Sequence, residues 1–242
     1  MPRPREAAAV KAVVPAAGEG TRLRPLTADR PKGLVEVAGR PLLTHVFEAL
    51  APLDPAELVV VVGYRGEQIR EHYGDAFEGT PITYVRQAER RGLGHAVLQA
   101  APHVDGDFVV MNGDNVCRAN LGDLLARHRE TGADATLLVE RVPEERAASG
   151  GVLDVADGEV VGLVEKPADP PSRLIPRGVF ALSPAVLRAC RAVDPGHTGE
   201  MELTAAIDLL VRRGRRVETV ELSGWCVNVN EPADRERVAE RL

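Results

Sequence analysis

Short, solidly apolar runs alternate along the first half of the chain with stretches whose apolar positions recur every three or four residues. Ala12 to Val14, Leu58 to Val62 (LVVVV, closed by Gly63), Phe108 to Met111 and Ala135 to Val139 have the unbroken apolar character of strands covered on both faces. Ile82 to Val85 reads as a shorter strand. Between these runs, Pro41 to Leu50 places Leu42, Val46, Ala49 and Leu50 on one helical face, with Pro41 suited to the first turn. Gly66 to Tyr73, Gly94 to Ala101, and Leu121 to Thr131 (ended by Gly132) are also predicted as helices. The period then changes. Gly151 to Val155 and Glu159 to Val164 flank Asp157-Gly158, a strong two-residue hairpin signal. Strands at Val179 to Leu182 and Val217 to Leu222, helices near Pro184 to Arg191 and Leu203 to Arg213, and a terminal helix from Pro232 to Leu242 complete the prediction. Strands alternating with helices imply an α/β fold with a mostly parallel mixed sheet flanked by helices, in one domain spanning 1–242 with a β-rich second half. Ligands of such sheets bind beyond the carboxyl ends of the strands.

Composition narrows the partners rather than the fold. The chain of 242 residues is 44% hydrophobic and 27% charged, with a net charge of −6, which argues against bulk nucleic-acid binding, a property of basic patches. No apolar run approaches the ~20 residues of a membrane span, and no apolar signal segment opens the chain. A cytoplasmic protein with no membrane partner is the expectation. Cys117, Cys190 and Cys226 are far apart and odd in number, and are expected to form neither a disulfide framework nor a zinc site. Lysine is scarce: only Lys11, Lys32 and Lys166 occur, against a large excess of arginine.

Two loops at predicted strand ends carry unusual chemistry. The first strand enters Pro15-Ala16-Ala17-Gly18-Glu19-Gly20-Thr21-Arg22, and Lys32 lies ten residues beyond Arg22. Small residues let backbone N–H groups approach a ligand, and a nearby arginine and lysine suit a polyphosphate. Leu23 stands where the dinucleotide fingerprint needs its third glycine, and no Gly-Lys-Ser/Thr marks a P-loop. The second loop is Asn112-Gly113-Asp114-Asn115, after Met111.

The longer pattern Gly18-x-Gly20-Thr21-Arg22-Leu23-x-Pro25-Leu26-Thr27, followed by Pro31-Lys32, resembles the signature of the sugar-1-phosphate nucleotidyltransferases. The resemblance runs in order along the body of the chain. Gln87 and Gly92-Leu93-Gly94 look like the base-reading segment, and Gly113-Asp114-Asn115 like the metal-binding Gly-Asp-Asn. Glu165-Lys166-Pro167 looks like the sugar-phosphate motif, Arg177-Gly178-Val179-Phe180 like the strand beneath the sugar, and Gly199-Glu200-x-Glu202-Leu203-Thr204 like a further family motif. Trp225-x-x-Asn228-Val229-x-x-Pro232-x-Asp234 resembles the closing one. The resemblance implies a Rossmann-like fold of the nucleotide-diphospho-sugar transferase type, with a nucleotide-binding half (11–140) and a sugar-phosphate-binding half (141–242). It implies a transfer of nucleotide from an NTP to a sugar 1-phosphate, releasing pyrophosphate. UTP or dTTP is the expected nucleotide and glucose 1-phosphate the default sugar.

Carried onto this chain, the resemblance puts the nucleotide on Ala16, Ala17, Gly18, Gly20, Thr21, Arg22, Lys32, Gln87, Gly92 and Asp114. It puts the sugar phosphate on Asn115, Gly151, Glu165, Lys166 and Gly178, and Mg²⁺ on Asp114 and Asn228. Arg22, Lys32 and Lys166 are the expected catalytic residues; His95 receives no role, and Trp225 is assigned to packing. An attacking phosphate is already anionic at neutral pH, so no general base is required, and the six histidines form no paired metal or triad spacing. Two departures from the family pattern stand out: Asn228 replaces a common Asp, and Gly150 replaces a Tyr before Gly151. Transfer of CMP to a phosphorylated alcohol such as choline phosphate, and a non-catalytic regulatory homologue, remain alternatives. Self-association into a homo-oligomer is a mild expectation.

Overall fold

The computed structural model describes residues 9–196 and 199–242. Strand β1 (Lys11–Ala16) leads through a small hairpin, β2 (Glu36–Val37) and β3 (Arg40–Pro41), into helix α1 (Leu42–Leu50). Next come β4 (Glu57–Val62), α2 (Gly66–Tyr73), β5 (Ala76–Phe77), β6 (Thr80–Arg86) and α3 (Leu93–Gln99). β7 (Phe108–Met111), β8 (Asn115–Ala119), α4 (Leu121–Thr131) and β9 (Ala135–Arg141) follow. The remainder adds α5 (Glu144–Ala147), β10 (Gly151–Ala156), β11 (Glu159–Glu165), β12 (Leu174–Leu182), α6 (Pro184–Ala192), α7 (Leu203–Arg212), β13 (Val217–Glu221), β14 (Gly224–Asn228) and α8 (Pro232–Ala239).

An eight-stranded sheet in the order β13-β9-β12-β7-β1-β4-β6-β5 forms the centre. β7, β1, β4 and β6 are parallel neighbours, whereas β12 runs antiparallel to both β7 and β9. The α/β fold with a mostly parallel mixed sheet is therefore the one observed. Alternate residues of each strand face opposite sides. Ala12, Val14 and Ala16 pack with Leu43, Val46 and Phe47 of α1 and Leu124 of α4. Val13, Val59 and Val61 pack with Val97 of α3, Val186 of α6 and Ile207 of α7. Helices on both faces explain why these strands are apolar throughout, each buried Val or Leu contributing about 2 kcal/mol relative to exposure.

β1, β4 and β6 step outward on one side of the sheet, and the chain then returns to place β7 on the other side of β1. The connections leaving β1 and β7 run in opposite directions, toward β4 and toward β9, which opens a crevice beyond the carboxyl ends of these two strands. The backbone N–H of Gly113 donates to the Pro15 carbonyl at 3.0 Å, tying the two loops together. A Cβ on Gly113 would lie 2.7 Å from that oxygen, so only glycine permits the approach.

The Asp157-Gly158 hairpin is present, with φ of 52° and 83° at its two turn residues, as a type I′ turn requires. Other boundaries moved by one to three residues. Pro41 caps α1 with extended backbone instead of entering its first turn. α3 stops at Gln99 and gives way to a 3₁₀ turn, Ala101–His103, whose Pro102 has no N–H to continue the helix. α8 ends at Ala239, short of the predicted Leu242. β8 and β14 were not predicted, because each is short, mixed in polarity and paired only with the other.

That pairing also corrects the cysteine expectation. Cys117 and Cys226 stand directly opposite each other in the β8–β14 register and form a disulfide across 109 residues of sequence, leaving Cys190 free and buried. Spacing along the chain carries no trace of this, since the pairing depends on a register that two distant segments adopt only after folding.

Candidate active site

A cleft of ≈ 630 Å³ occupies the crevice, and every residue assigned to the nucleotide lines it: Ala16, Ala17, Gly18, Gly20, Thr21 and Arg22 from the opening loop, with Lys32, Gln87, Gly92 and Asp114. The opening loop is pinned from outside. The Gly20 carbonyl accepts from Thr27 Oγ1 at 2.9 Å and from the Leu23 N–H at 2.9 Å, and Gly20 takes φ of 67° with Lys32 and Thr27 packed beneath it. Arg22 is exposed and makes no ion pair among the described residues. Glu19 instead binds Arg24 and Arg90, each at 2.6 Å, and hydrogen bonds from Arg90 and Arg24 hold its carboxyl below the usual range.

Lys32 crosses the cleft to Asp114. Its Nζ donates to Asp114 Oδ2 at 2.8 Å and to Asn230 Oδ1 at 2.9 Å, with the two partners of the ion pair only 13% and 25% exposed. The other Asp114 oxygen, Oδ1, is buried without a partner, and so are Oδ1 of Asn112 and Oδ1 of Asn115. Buried polar atoms are nearly always paired, so three orphan oxygens on one loop mark a surface built to meet something else. A hard cation fits Asp114 Oδ1 by donor chemistry. No cluster of three or more His, Cys, Asp or Glu able to hold a metal occurs among the described residues. Asn228 ends β14 in register with Asn115 and is not among the cleft-lining residues; Asn230, two positions on, is.

At the far end, Gln87 is 5% exposed and its Nε2 donates to the Gly92 carbonyl at 3.2 Å. The same nitrogen lies 2.9 Å from His95 Nδ1, and His95 Nε2 lies 3.1 Å from the Gln99 carboxamide. Burial, then the Arg91 charge, holds the His95 imidazole below its ordinary pKa. Gly92 (φ 95°) and Gly94 sit against Met201: a Cβ on either would fall within 2.7 or 2.9 Å of the Met201 carbonyl, which accepts from the Gly94 N–H at 2.8 Å. The segment 199–204 thus supports the Gly92 turn from behind.

The sugar-phosphate set lies outside this cleft, in two knots joined by β12. Gly151 packs on Thr204, Glu165 and Pro176, and Thr204 Oγ1 donates to Glu165 Oε2 at 3.1 Å. Lys166 takes φ of 44°, with its N–H bound to the Gly150 carbonyl at 2.9 Å and its side chain exposed. Burial, then the charges of Glu165 and Glu200, raises the Glu202 carboxyl, while Lys166 opposes the rise. Two residues beyond Pro176, Gly178 takes φ of 66° beneath the carboxamides of Asn112 and Asn115, and Asn115 Nδ2 donates to the Arg177 carbonyl at 2.7 Å. Arg177 is itself buried, 3.2 Å from Glu140 and hydrogen-bonded to the Cys226 carbonyl, which links β12 to β14.

Asn112, Asn230, Arg90 and Glu200 line the cleft without having been assigned to it. Asn112 sits inside the Asn112-to-Asn115 motif and Asn230 inside the closing motif, so position within a motif was the available signal.

With this geometry in hand, comparison with known proteins places the chain. The family model for nucleotidyl transferases matches residues 11–226, and the chain belongs to that family. A UTP–glucose-1-phosphate uridylyltransferase of Haloferax volcanii is 49% identical over 234 residues, covering 96% of both chains. A glucose-1-phosphate thymidylyltransferase of Streptomyces griseus is 37% identical over 228 residues, covering 93% of this chain and 64% of the relative. Among solved structures, a UDP-glucose pyrophosphorylase complexed with UDP-glucose superposes with a TM-score of 0.86 over 96% of this chain and 98% of the other, at 24% identity, which shows a shared fold.

Proposed function

We propose that this enzyme joins a nucleoside triphosphate, UTP or dTTP, to a sugar 1-phosphate, glucose 1-phosphate by default, releasing pyrophosphate and an NDP-sugar. UTP is favoured by the identity shared with the uridylyltransferase. The observation that carries the proposal is the convergence of the opening loop, Lys32, Gln87 and Asp114 on one cleft at the sheet's reversal point.

The attacking group is a phosphate oxygen of the sugar phosphate, and the bond broken joins the α-phosphorus to the bridging oxygen of pyrophosphate. Because the nucleophile is already ionised, the residues supply position and charge. Backbone N–H groups of the loop from Ala16 to Arg22 face the polyphosphate, and the exposed Arg22 offers forked donors to its β- and γ-phosphates. Lys32, oriented by Asp114 and Asn230, is the point charge for the α-phosphate. Lys166 holds the phosphate of the incoming sugar, Glu165 accepts from sugar hydroxyls, and Gly151, Gly178 and Asn115 shape the sugar's seat. The family generally uses a divalent metal. Mg²⁺ would be held by Asp114, whose Oδ1 is buried without a partner, and by Asn228, and would supply charge neutralisation at the phosphates. No helix of the described residues is long and apolar enough to cross a membrane, and a cytoplasmic enzyme is proposed, as its substrates require.

A matrix of nucleoside triphosphates against sugar 1-phosphates, read by pyrophosphate release, tests the reading. The highest kcat/KM is expected for UTP or dTTP with glucose 1-phosphate. Pyrophosphate release with no pair would refute it.

A further inference from the structure

His95 follows the Gly92 turn, does not line the cleft and was given no role by its position in the sequence. Its surroundings define its proton. The Gly92 carbonyl can only accept, so the Gln87 atom 3.2 Å away is the amide nitrogen. That nitrogen also meets His95 Nδ1 at 2.9 Å, so Nδ1 accepts and the ring is neutral, with its proton on Nε2. The Gln99 carboxamide lies 3.1 Å from Nε2 and its nitrogen 3.4 Å from the His95 carbonyl; with the proton on Nε2 the carboxamide turns its oxygen toward the ring and gives up that longer, weaker bond. Burial of the imidazole favours the same neutral state.

Two acceptors on one nitrogen leave the Gln87 oxygen as the group offered to the cleft. From this geometry we propose that His95 is a positioning residue for nucleobase selection: with Gly92 it locks the Gln87 carboxamide in one orientation, so that the site accepts a hydrogen bond from the base and rejects a base presenting a lone pair there. The inference rests on the proposed function, in which Gln87 faces the base. Uracil and thymine have a single N–H on their pairing edge, at N3. Cytosine seated in the same way has a lone pair at N3 and would set acceptor against acceptor. Without the His95 acceptor, only the longer bond to the Gly92 carbonyl opposes a half-turn of the carboxamide that would present its N–H₂ to cytosine. A polar group matched to one partner and left unpaired by another gives larger discrimination than apolar shape does.

The test uses the intact chain with His95→Leu, His95→Asn and Gln99→Leu. UTP and CTP affinities are measured by calorimetric titration, and KM and kcat in the pyrophosphate assay. Wild type should bind UTP at least about 30-fold more tightly than CTP. His95→Leu should lower that ratio about tenfold, with the loss falling on KM for UTP more than on kcat, whereas His95→Asn, whose Oδ1 can stand in for Nδ1, should restore it to within about threefold. Gln99→Leu, which removes the partner of Nε2–H, should lower the ratio about threefold, and carries the test if His95→Leu does not fold. A wild type that binds both nucleotides equally, a ratio unmoved by His95→Leu or Gln99→Leu, or a loss that His95→Asn does not restore would overturn the proposal. Binding is read without turnover. A chain that discriminated UTP from CTP as described and released no pyrophosphate would refute the proposed reaction alone.

Discussion

Gly178→Ala separates the architecture of the sugar-phosphate half from its chemistry. Gly178 holds φ of 66°, and a Cβ there would lie 2.7 Å from the side-chain nitrogens of both Asn112 and Asn115. The left-handed backbone alone costs an alanine about 1 kcal/mol. Relieving the contact means moving two carboxamides, one of which makes the buried 2.7 Å hydrogen bond to the Arg177 carbonyl; losing that bond adds about 1 kcal/mol, and the residual crowding about 1 more. A total near 3 kcal/mol corresponds to a fall of about 6–12 °C in Tm for a chain of this size. Gly106→Ala is the matched control, because nothing lies within 4 Å of its built Cβ and its φ is not positive; it should stay within about 0.5 kcal/mol of wild type. Urea denaturation and thermal melting give the two numbers, and sugar-phosphate KM should rise alongside the Gly178→Ala loss. A Gly178→Ala protein within about 1 kcal/mol of wild type would refute the reasoning, since the crowding at this site would then be relieved without loss.

Three further outcomes follow from the site. Asp114→Ala should lower metal-dependent turnover about 10²–10³-fold, measured as kcat across a magnesium titration; a near-normal kcat would exclude the ligand role. Lys166→Ala should raise KM for the sugar phosphate by about tenfold or more while NTP affinity by calorimetry changes little; equal loss of both would contradict the division between the two halves. Asp234 is pushed up by burial but held lower overall, because the N–H groups of Asn230 (2.7 Å) and Glu231 (2.8 Å) and the Arg237 guanidinium favour its charged form. A depressed folded pKa means its contribution is full above the ordinary Asp value and disappears as pH falls through the folded pKa. Asp234→Ala should therefore cost about 1–2 kcal/mol at neutral pH, as loss of a helix cap does, and progressively less as pH falls below the ordinary Asp value and through the lower folded pKa, as read from urea midpoints across pH.

The parts of this fold that could be read from the sequence are those in which neighbours in sequence are also neighbours in space. LVVVV at Leu58 to Val62 announces a doubly covered strand, and Asp157-Gly158 a tight hairpin, because a few adjacent residues decide each. The opening loop was legible for the same reason: its backbone, Arg22 and Lys32 lie within a single stretch. β8 and β14 were not, since neither has a clean period and each finds its partner across more than a hundred residues. The Cys117–Cys226 disulfide and the approach of Asn230 to Lys32 are consequences of that one pairing and of the turn after it. His95 illustrates a different limit. A histidine at the start of a helix has many uses, and only the placement of Gln87 and Gln99 on opposite ring nitrogens selects one.

The central claim is that one chain carries a nucleotide cleft and a sugar-phosphate seat that act together. Phosphorus NMR of the purified chain incubated with magnesium, UTP and glucose 1-phosphate tests it most directly. The account predicts UDP-glucose and pyrophosphate appearing in equal amounts, with both absent when either substrate is omitted. UTP consumed in the absence of the sugar phosphate, or pyrophosphate formed without a matching NDP-sugar, would contradict it.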